Sequence, residues 1–336
     1  MHMADALVSP PVATGMAVAS LAVGAYSIFR IKKENKPENI PVMGVMGAFV
    51  FATQMVNFTI PGTGSRGHLC GGLLLSALIG PYGGFLSMMA ILLLQCLLFA
   101  DGGLMAYGCN VWNMAFYACF FGYFCIYKPI LSKNPSKKKI LIASILGSVL
   151  SLQLGAFSVT LETLISGVTE LPFLTFLSFM QPIHLAIGFV EGLITSAVLI
   201  FVYNTRPEML NINEKSNEFS FKKVIAILGI VTILIGGGIS LLASSSPDGL
   251  EWSMENVAGS TELDSKGSAY DKASEIQEKT AILPDYSISN SNNEILGTSF
   301  SGILGSVLVA VILIGGSLIF RFYKKGAKNE QTRKSA

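Results

Sequence analysis

The residues best suited to chemistry stand at the start of the chain. In Met1-His2-Met3 a free amino terminus, the His2 amide and the His2 imidazole can close a five- and a six-membered chelate ring around one metal ion. Such a chelate sets three nitrogens in one plane, provided no signal peptide or formyl group blocks the amine. A fourth nitrogen has to come from elsewhere, and the other histidines are His68 and His184. Square-planar nitrogen coordination suits Ni(II) or Cu(II), with cobalt close in the affinity order. A His after the start Met is by itself most often an accident of sequence, so the neighbouring features decide its weight.

Further polar groups recur in a few places. The segment Pro61-Gly62-Thr63-Gly64-Ser65-Arg66-Gly67-His68-Leu69-Cys70-Gly71-Gly72 has glycines that permit sharp turns and close backbone approach, and it carries a candidate second ligand in His68. Asn110 and Asn113 are three apart and present amides from nearly one helix face. Either they hydrogen-bond within a bundle or they hold a metal loop. His184 and Glu191 lie two turns apart on one face, with Thr195 a turn further. Glu191 is the charged residue placed well inside an apolar span, which marks it as a functional candidate, although an interhelical hydrogen bond is the favoured reading. His184 is a candidate for orienting other ligands, not a direct ligand. Gly44, Ala48 and Ala52 form a small-residue stripe fit for close helix packing, either inside the bundle or onto a partner.

These groups need elements to position them, and composition says which kind. The 336 residues are 51% hydrophobic and 13% charged, with mean hydropathy +0.58. A soluble domain carries about 25% charged residues, so the chain reads as an all-α, polytopic membrane helix bundle. The net charge of +2 offers no footing for nucleic acid. Cys70, Cys96, Cys109, Cys119 and Cys125 have neither metal-type nor disulfide spacing and read as small buried hydrophobes.

Apolar runs predict nine spans, at about 8–29, 41–60, 69–80, 83–100, 104–127, 139–161, 182–203, 223–243 and 299–320. The third and fourth, divided at Gly80-Pro81, suggest a tight hairpin, and 172–181 an interfacial piece. With the N-terminus outside, all of the 23 Lys and Arg residues except Arg66, Lys266, Lys272 and Lys279 fall inside. Residues 1–29 carry no Lys or Arg, whereas Arg30, Lys32, Lys33 and Lys36 follow the first run. That order predicts a retained first helix and not a secretory signal. A bulky second residue also disfavours removal of Met1. Met1-His2 and the 61–72 loop then share the outer face, and the chelate gains ground over the accident.

Four segments carry a resemblance: Met1-His2-Met3-Ala4-Asp5-Ala6-Leu7, Gly67-His68-Leu69-Cys70-Gly71-Gly72, Gly108-Cys109-Asn110-Val111-Trp112-Asn113-Met114, and His184 through Thr195. Residues 1–210 resemble the cobalt/nickel substrate-binding (S) component of energy-coupling-factor transporters, the CbiM/NikM family. The resemblance implies a core of about seven helices, with metal held by the Met1 amine, the His2 amide and imidazole, and His68. It also implies partners: a membrane coupling subunit, with the Gly44 stripe as a docking face, and separate cytoplasmic ATPases. The chain itself has no GxxxxGK[ST] sequence. Pro247-Asp248-Gly249-Leu250-Glu251 and the two apolar runs around it make residues 223–325 resemble the two-helix CbiN/NikN companion, here fused behind the core. Its outer segment is 244–298, with 211–222 as a cytoplasmic linker and 326–336 as a basic tail. Residues 260–298, rich in Ser, Asn and Glu, read as loosely ordered.

These readings predict capture of Ni(II) or Co(II) for ATP-driven uptake through the cell membrane, with the metal as cargo and no permanent cofactor. Two alternatives are an S component for an organic micronutrient, which has no use for a free Met-His terminus, and a membrane metalloenzyme. The last needs an open coordination position and a general base, and no His-Glu-x-x-His is present.

Overall fold

A computed structural model describes residues 1–34, 39–210, 212, 220–288 and 294–334. Lys36 and most of the expected linker over 211–222 lie outside the described residues. In hydrocarbon a backbone N–H or C=O finds a partner only in its own helix, and each expected span does contain a helix. They are α1 (Pro10–Glu34), α2 (Asn39–Gln54), α3 (Gly72–Ile79) and α4 (Pro81–Phe99), followed by α5 (Tyr107–Asn110). α5 continues through a π-helical stretch, Val111–Tyr127, into α6 (Lys128–Leu131), making one span. Then come α7 (Lys137–Ser166), α8 (Phe173–Thr205), α9 (Phe221–Gly237), the polar α10 (Gly249–Ala258) and α11 (Ser268–Thr280), and α12 (Glu294–Lys334).

Among the described residues seven of these helical stretches are long and apolar enough to cross a membrane, which corrects the expected nine. α3 is the clearest exception. Its eight residues reach about 12 Å, well short of a hydrocarbon core of about 30 Å. All of them are buried. Gly80, at φ 81°, turns the chain directly into α4, where Pro81 suits the first helical position. The expected interfacial piece at 172–181 is instead the first part of the 33-residue α8, which contains Pro182. A proline inside a helix leaves backbone groups unpaired. Beside it Gln153 and Gln181 exchange amide hydrogen bonds with each other's carbonyls at 2.9 and 3.2 Å.

The 58–67 segment forms a small antiparallel hairpin of β1 (Phe58–Ile60) and β2 (Ser65–Gly67), where only glycine turns were expected. Behind the core, α9 and α12 pack along α2. A Cβ on Gly44 would meet Ile314 of α12 at 2.5 Å, and one on Gly236 of α9 would stand 3.4 Å from the Ala52 methyl. Ala48 and Ala52 are buried as well. The stripe of Gly44, Ala48 and Ala52 is therefore covered from within the chain, which corrects its expected use as a partner-docking face.

The region expected to be loosely ordered is folded through Ile288. α11 and the turn after it dock on the end of α4 through polar groups. Tyr270 donates to the Val8 carbonyl at 3.0 Å, and Gln277 to the carbonyls of Gly102 and Cys96 at 2.6 and 3.0 Å. The Leu283 amide donates to Leu98 O at 3.1 Å. Such anchors use main-chain acceptors and need no apolar face, so composition alone does not reveal them.

α9 and α12 approach at Gly236 and Gly302, where an added Cβ on Gly302 would lie 2.0 Å from the Gly236 carbonyl oxygen. Gly302→Val is expected to cost about 1–3 kcal/mol and lower the melting temperature in detergent. Gly316→Ala, on the same helix with nothing within 4 Å, should leave it unchanged.

Candidate metal centre

The first three residues lie buried at one end of the bundle. Two asparagines grip Met3. Its N–H donates to Asn110 Oδ1 at 2.6 Å, and its carbonyl accepts from Asn110 Nδ2 at 3.1 Å and from the Gly103 amide at 2.9 Å. Asn113 reaches the Met3 sulfur at 3.6 Å and Glu162 Oε2 at 2.8 Å. Asn110 thus holds the N-terminal segment, and Asn113 joins that segment to α7. Asp5, close to the buried segment, accepts from the Ala106 amide at 2.9 Å, an acid at the N-terminal end of α5. Burial raises its carboxyl above the ordinary value.

Gripped in this way, the Met1 amine stands 3.3 Å from His68 Nε2 and 2.7 Å from Asp248 Oδ2. His68 Nδ1 lies 3.1 Å from the Leu69 carbonyl. An N–H there commits Nδ1 as donor and leaves Nε2 with its lone pair toward the amine. Two cis ligands on metal–nitrogen bonds of about 2.0 Å stand about 2.9 Å apart. The amine and His68 Nε2 therefore need only a small contraction to share an ion. The His2 and His68 rings stack 5.4 Å apart at 22°.

His2 is arranged differently. Its Nδ1 lies 3.0 Å from Asp101 Oδ1 and its Nε2 3.3 Å from Gln95 Oε1. Gln95 in turn donates to Gln54 Oε1 at 3.0 Å, and Gln54 to the Cys70 carbonyl at 2.8 Å. Nδ1 is the nitrogen that closes the six-membered ring, so the imidazole must leave Asp101 to chelate. Among the described residues no three His, Cys, Asp or Glu side chains converge on one metal position. A metal held here would have to draw on main-chain nitrogen.

Burial disfavours the charged form of both imidazoles. Burial lowers His68 to about 3, assisted by the positive amine and by His2. Burial also lowers His2, with Asp101 opposing it. Burial by itself would raise Asp248, but the ammonium beside it outweighs that and holds the carboxyl well below the usual range. Asp101 behaves likewise: burial raises it, and His2 with the Tyr286 hydroxyl pulls it below normal.

Glu191 fixes the loop from below. Its two carboxylate oxygens accept from the Cys70 and Gly71 amides at 2.9 and 3.1 Å. Gly71, at φ 83°, opens α3. Glu191 of α8 thus caps the start of α3, and the first amide it holds, that of Cys70, is two residues after His68. His184 is also buried. Its Nδ1 bonds the Met180 carbonyl at 2.8 Å, and its Nε2 has no hydrogen-bond partner. The structure puts His184 under the 247–251 turn, not among the nitrogens facing Met1.

The five residues 247–251 each do something specific here. The Pro247 carbonyl accepts from the Arg66 amide at 2.9 Å and from Ser65 Oγ at 3.2 Å, which lays the turn beside β2. Asp248 caps α10 with Oδ1, accepting from the Leu250 and Glu251 amides at 2.7 and 2.9 Å, and uses Oδ2 for the Met1 amine. Gly249 lies against α8, where a Cβ would meet His184 and Ile187 at 3.1 Å. Leu250 is buried, and Glu251 returns a bond to the Asp248 amide at 2.8 Å. Trp252 adds a bond from Nε1 to Thr63 O at 2.8 Å. Sequence reasoning quoted this stretch without assigning Asp248 to the site, although an Asp followed three residues later by Glu is a capping signal. It also passed over Asp101, Gln95, Gln54 and Glu162. A cavity of about 790 Å³ opens over the centre, lined by His2, His68, Asp101, Asp248 and Glu251 among others.

Known proteins resemble this chain over most of its length. Residues 2–209 match the cobalt uptake substrate-specific transmembrane region, and residues 222–322 match the PDGLE domain. A protein of Archaeoglobus fulgidus, provisionally named a fused nickel transport protein NikMN, is 32% identical over 93% of this chain and 96% of its own length. The cobalt transport protein CbiM of Sorangium cellulosum is 31% identical over 56% of this chain and 83% of its own. A crystal structure of a truncated transition metal transporter superposes with a TM-score of 0.53 at 29% identity, covering 60% of this chain and 98% of that one.

Glu191→Ala leaves the buried Cys70 and Gly71 amides without an acceptor. It is expected to cost about 2–4 kcal/mol, read as a lower melting temperature in detergent, with Glu191→Gln falling between it and wild type.

Proposed function

The chain belongs to the cobalt uptake substrate-specific transmembrane family, carries a PDGLE domain in the same polypeptide, and on that footing we propose that it captures Ni(II) or Co(II) for transport into the cell. It is a multi-pass membrane protein. The observation that carries the reading is the pairing of the buried Met1 amine with the free nitrogen of His68 at 3.3 Å.

The ion enters the cavity above Met1 and sheds its water. The amine gives up its bond to Asp248, and the His2 ring leaves Asp101 and turns Nδ1 inward. Amine, His2 amide, His2 Nδ1 and His68 Nε2 then surround the metal in one plane, as in the fused-ring chelate. Planar nitrogen coordination excludes ions that want octahedral oxygen, such as Mg(II) and Ca(II). The ammonium and the His2 amide must each release a proton to solvent before they can ligate, so binding weakens on acidification. In this reading Met1 faces outward and the basic helix ends face the cytoplasm. Arg30, near the end of α1 remote from Met1, lies over Tyr82 at the start of α4, and Lys128, just after the π-helical stretch, lies by Phe124, basic groups that fit a cytoplasmic end. The partners are a membrane coupling subunit and cytoplasmic ATPases of the energy-coupling-factor type, with which the loaded protein reorients. Residues 1–210 form the capturing core. Residues 223–325 assist loading by holding the 61–68 loop and the amine through the 247–252 turn.

Metal binding by the purified full chain with its native N-terminus tests the ligand set. A binding energy of roughly 10 kcal/mol over four ligands puts about 2–3 kcal/mol on each, so His2→Ala and His68→Ala should each raise Kd about a hundredfold. One residue added before Met1 should do the same. An extended chain that still binds nickel at wild-type affinity sinks the chelate. For the loading role, Asp248→Ala and deletion of 223–336 should both lower cellular uptake of nickel or cobalt. Uptake at the wild-type rate by the truncated chain refutes it.

A further inference from the structure

We infer that Glu162 works as an uncharged carboxylic acid that clasps the Asn113 amide in a reciprocal pair, and that through Asn113 it positions Met3 and the metal-binding end of the chain. The sequence reading ended the sixth span at residue 161 and so placed Glu162 outside it. α7 in fact continues to Ser166, and Glu162 is only 6% exposed.

The polar atoms between α7 and the π-helical stretch state a problem with one economical solution. Asn113 Nδ2 donates to Glu162 Oε2 at 2.8 Å. The other oxygen of each group, Glu162 Oε1 and Asn113 Oδ1, is buried and has no partner. Both residues are more than nine-tenths buried. Two neighbouring acceptors without a donor are unfavourable in an apolar interior. An ionised carboxylate whose only donors are one amide and one weak thiol costs more still. Among the described residues no Lys, Arg or His forms an ion pair with Glu162. The Cys109 thiol of α5 is the other titratable group against it and offers the carboxyl a hydrogen bond, but S–H is a weak donor. A proton on Glu162 Oε1 makes that oxygen the donor that Asn113 Oδ1 lacks. The acid and the amide then exchange two parallel hydrogen bonds, and that one proton satisfies both unpartnered oxygens.

The clasp bears on the metal centre through Met3. The Asn113 nitrogen that serves Glu162 also lies 3.6 Å from Met3 Sδ. On the same face of α7, two turns earlier, Gly155 leaves a notch whose Cβ position is 2.9 Å from the Met1 methyl. α7 therefore holds both thioethers of the N-terminal segment, one by shape and one through the acid–amide pair. Glu162 touches no metal ligand, so it is a positioning residue. The inference rests on the reading that the N-terminal nitrogens hold the ion.

The test uses the full chain with its native N-terminus and Ni(II) as probe. Gln can make the same two bonds with Asn113, accepting with its oxygen and donating with its nitrogen; Ala can make neither. Glu162→Gln should bind nickel within about twofold of wild type, and Glu162→Ala should bind about tenfold more weakly, the usual effect of losing a group that orients ligands. Infrared spectra of wild type should carry a protonated-carboxyl carbonyl band that shifts in D2O and is missing from Glu162→Gln. The inference is overturned if Glu162→Gln binds as weakly as Glu162→Ala, if Glu162→Ala binds like wild type, or if the band survives in Glu162→Gln. His68→Ala tests the centre separately: undiminished nickel binding in that variant refutes the ligand set, whereas the infrared band still decides the state of Glu162.

Discussion

A positive amine removed from water is costly unless its contacts are complete, and the Met1 amine has its contacts in two distant parts of the chain. One is His68, in the hairpin region after α2, and the other is Asp248, ahead of α10. The ion pair with Asp248 ties the first residue to the 248th, so the amine's contacts are complete only when the C-terminal region is seated. The detailed form of residues 247–251 follows from that requirement. One oxygen of Asp248 must cap a helix while the other stays free for the amine, and Glu251 closes the cap from the other side. The turn also has to lie low enough for the carboxylate to reach, which is why residue 249 has no room for a side chain.

The two imidazoles of the centre are held to different degrees. His68 belongs to a segment whose main chain is gripped by Glu191, by Gln54 and by the 247–252 turn, and its own Nδ1 is committed to a neighbouring carbonyl. Its free nitrogen is fixed before any ion arrives. The His2 ring is hydrogen-bonded to the side chains of Asp101 and Gln95, which a metal bond would replace in the proposed site. A site with one ligand preset and one exchangeable spends little of its binding energy on ordering the first and still closes around the ion with the second. In the proposed site the preset half is held from the start of buried α3 and by Glu191 of α8, and the movable half is the chain terminus.

The parts of this arrangement legible in the sequence were those that local chemistry dictates. Met1-His2 and His68 stand out because few other residues offer nitrogen to a metal, and the spans stand out because long apolar runs have few other uses. The misses have physical reasons. α3 is as apolar as a spanning helix because it is buried by protein instead of lipid, and hydropathy does not separate the two. Pro182 reads as a boundary, yet the neighbouring glutamines pair across to α7 and the helix runs on. α11 looks like a disordered segment because its anchors are single hydroxyls and amides on main-chain carbonyls. The contact that completes the centre, Met1 with Asp248, joins residues 247 apart in sequence, and no periodicity or spacing rule reaches that far. Asp248 was nevertheless within a quoted motif, where its cap could be read and its second oxygen could not.

The fused region also explains why the small-residue stripe on α2 points inward. Gly44 accepts Ile314, Gly47 accepts Leu313, and the Ala52 methyl lies close to Gly236, so α9 and α12 sit against α2 by shape. That contact places the start of α10 over the hairpin, and the turn then makes its bonds to Ser65, Arg66 and Thr63. Were the same two helices a separate subunit, each of these contacts would have to be formed by association, with its loss of translational freedom. Joined in one chain, docking is intramolecular and is set by an effective concentration that does not fall with dilution. The glycine notches on α2 and the carboxylate on the amine thus belong to one device: the first seats the C-terminal helices, and the second lets their position be felt at the nitrogen that would bind the ion.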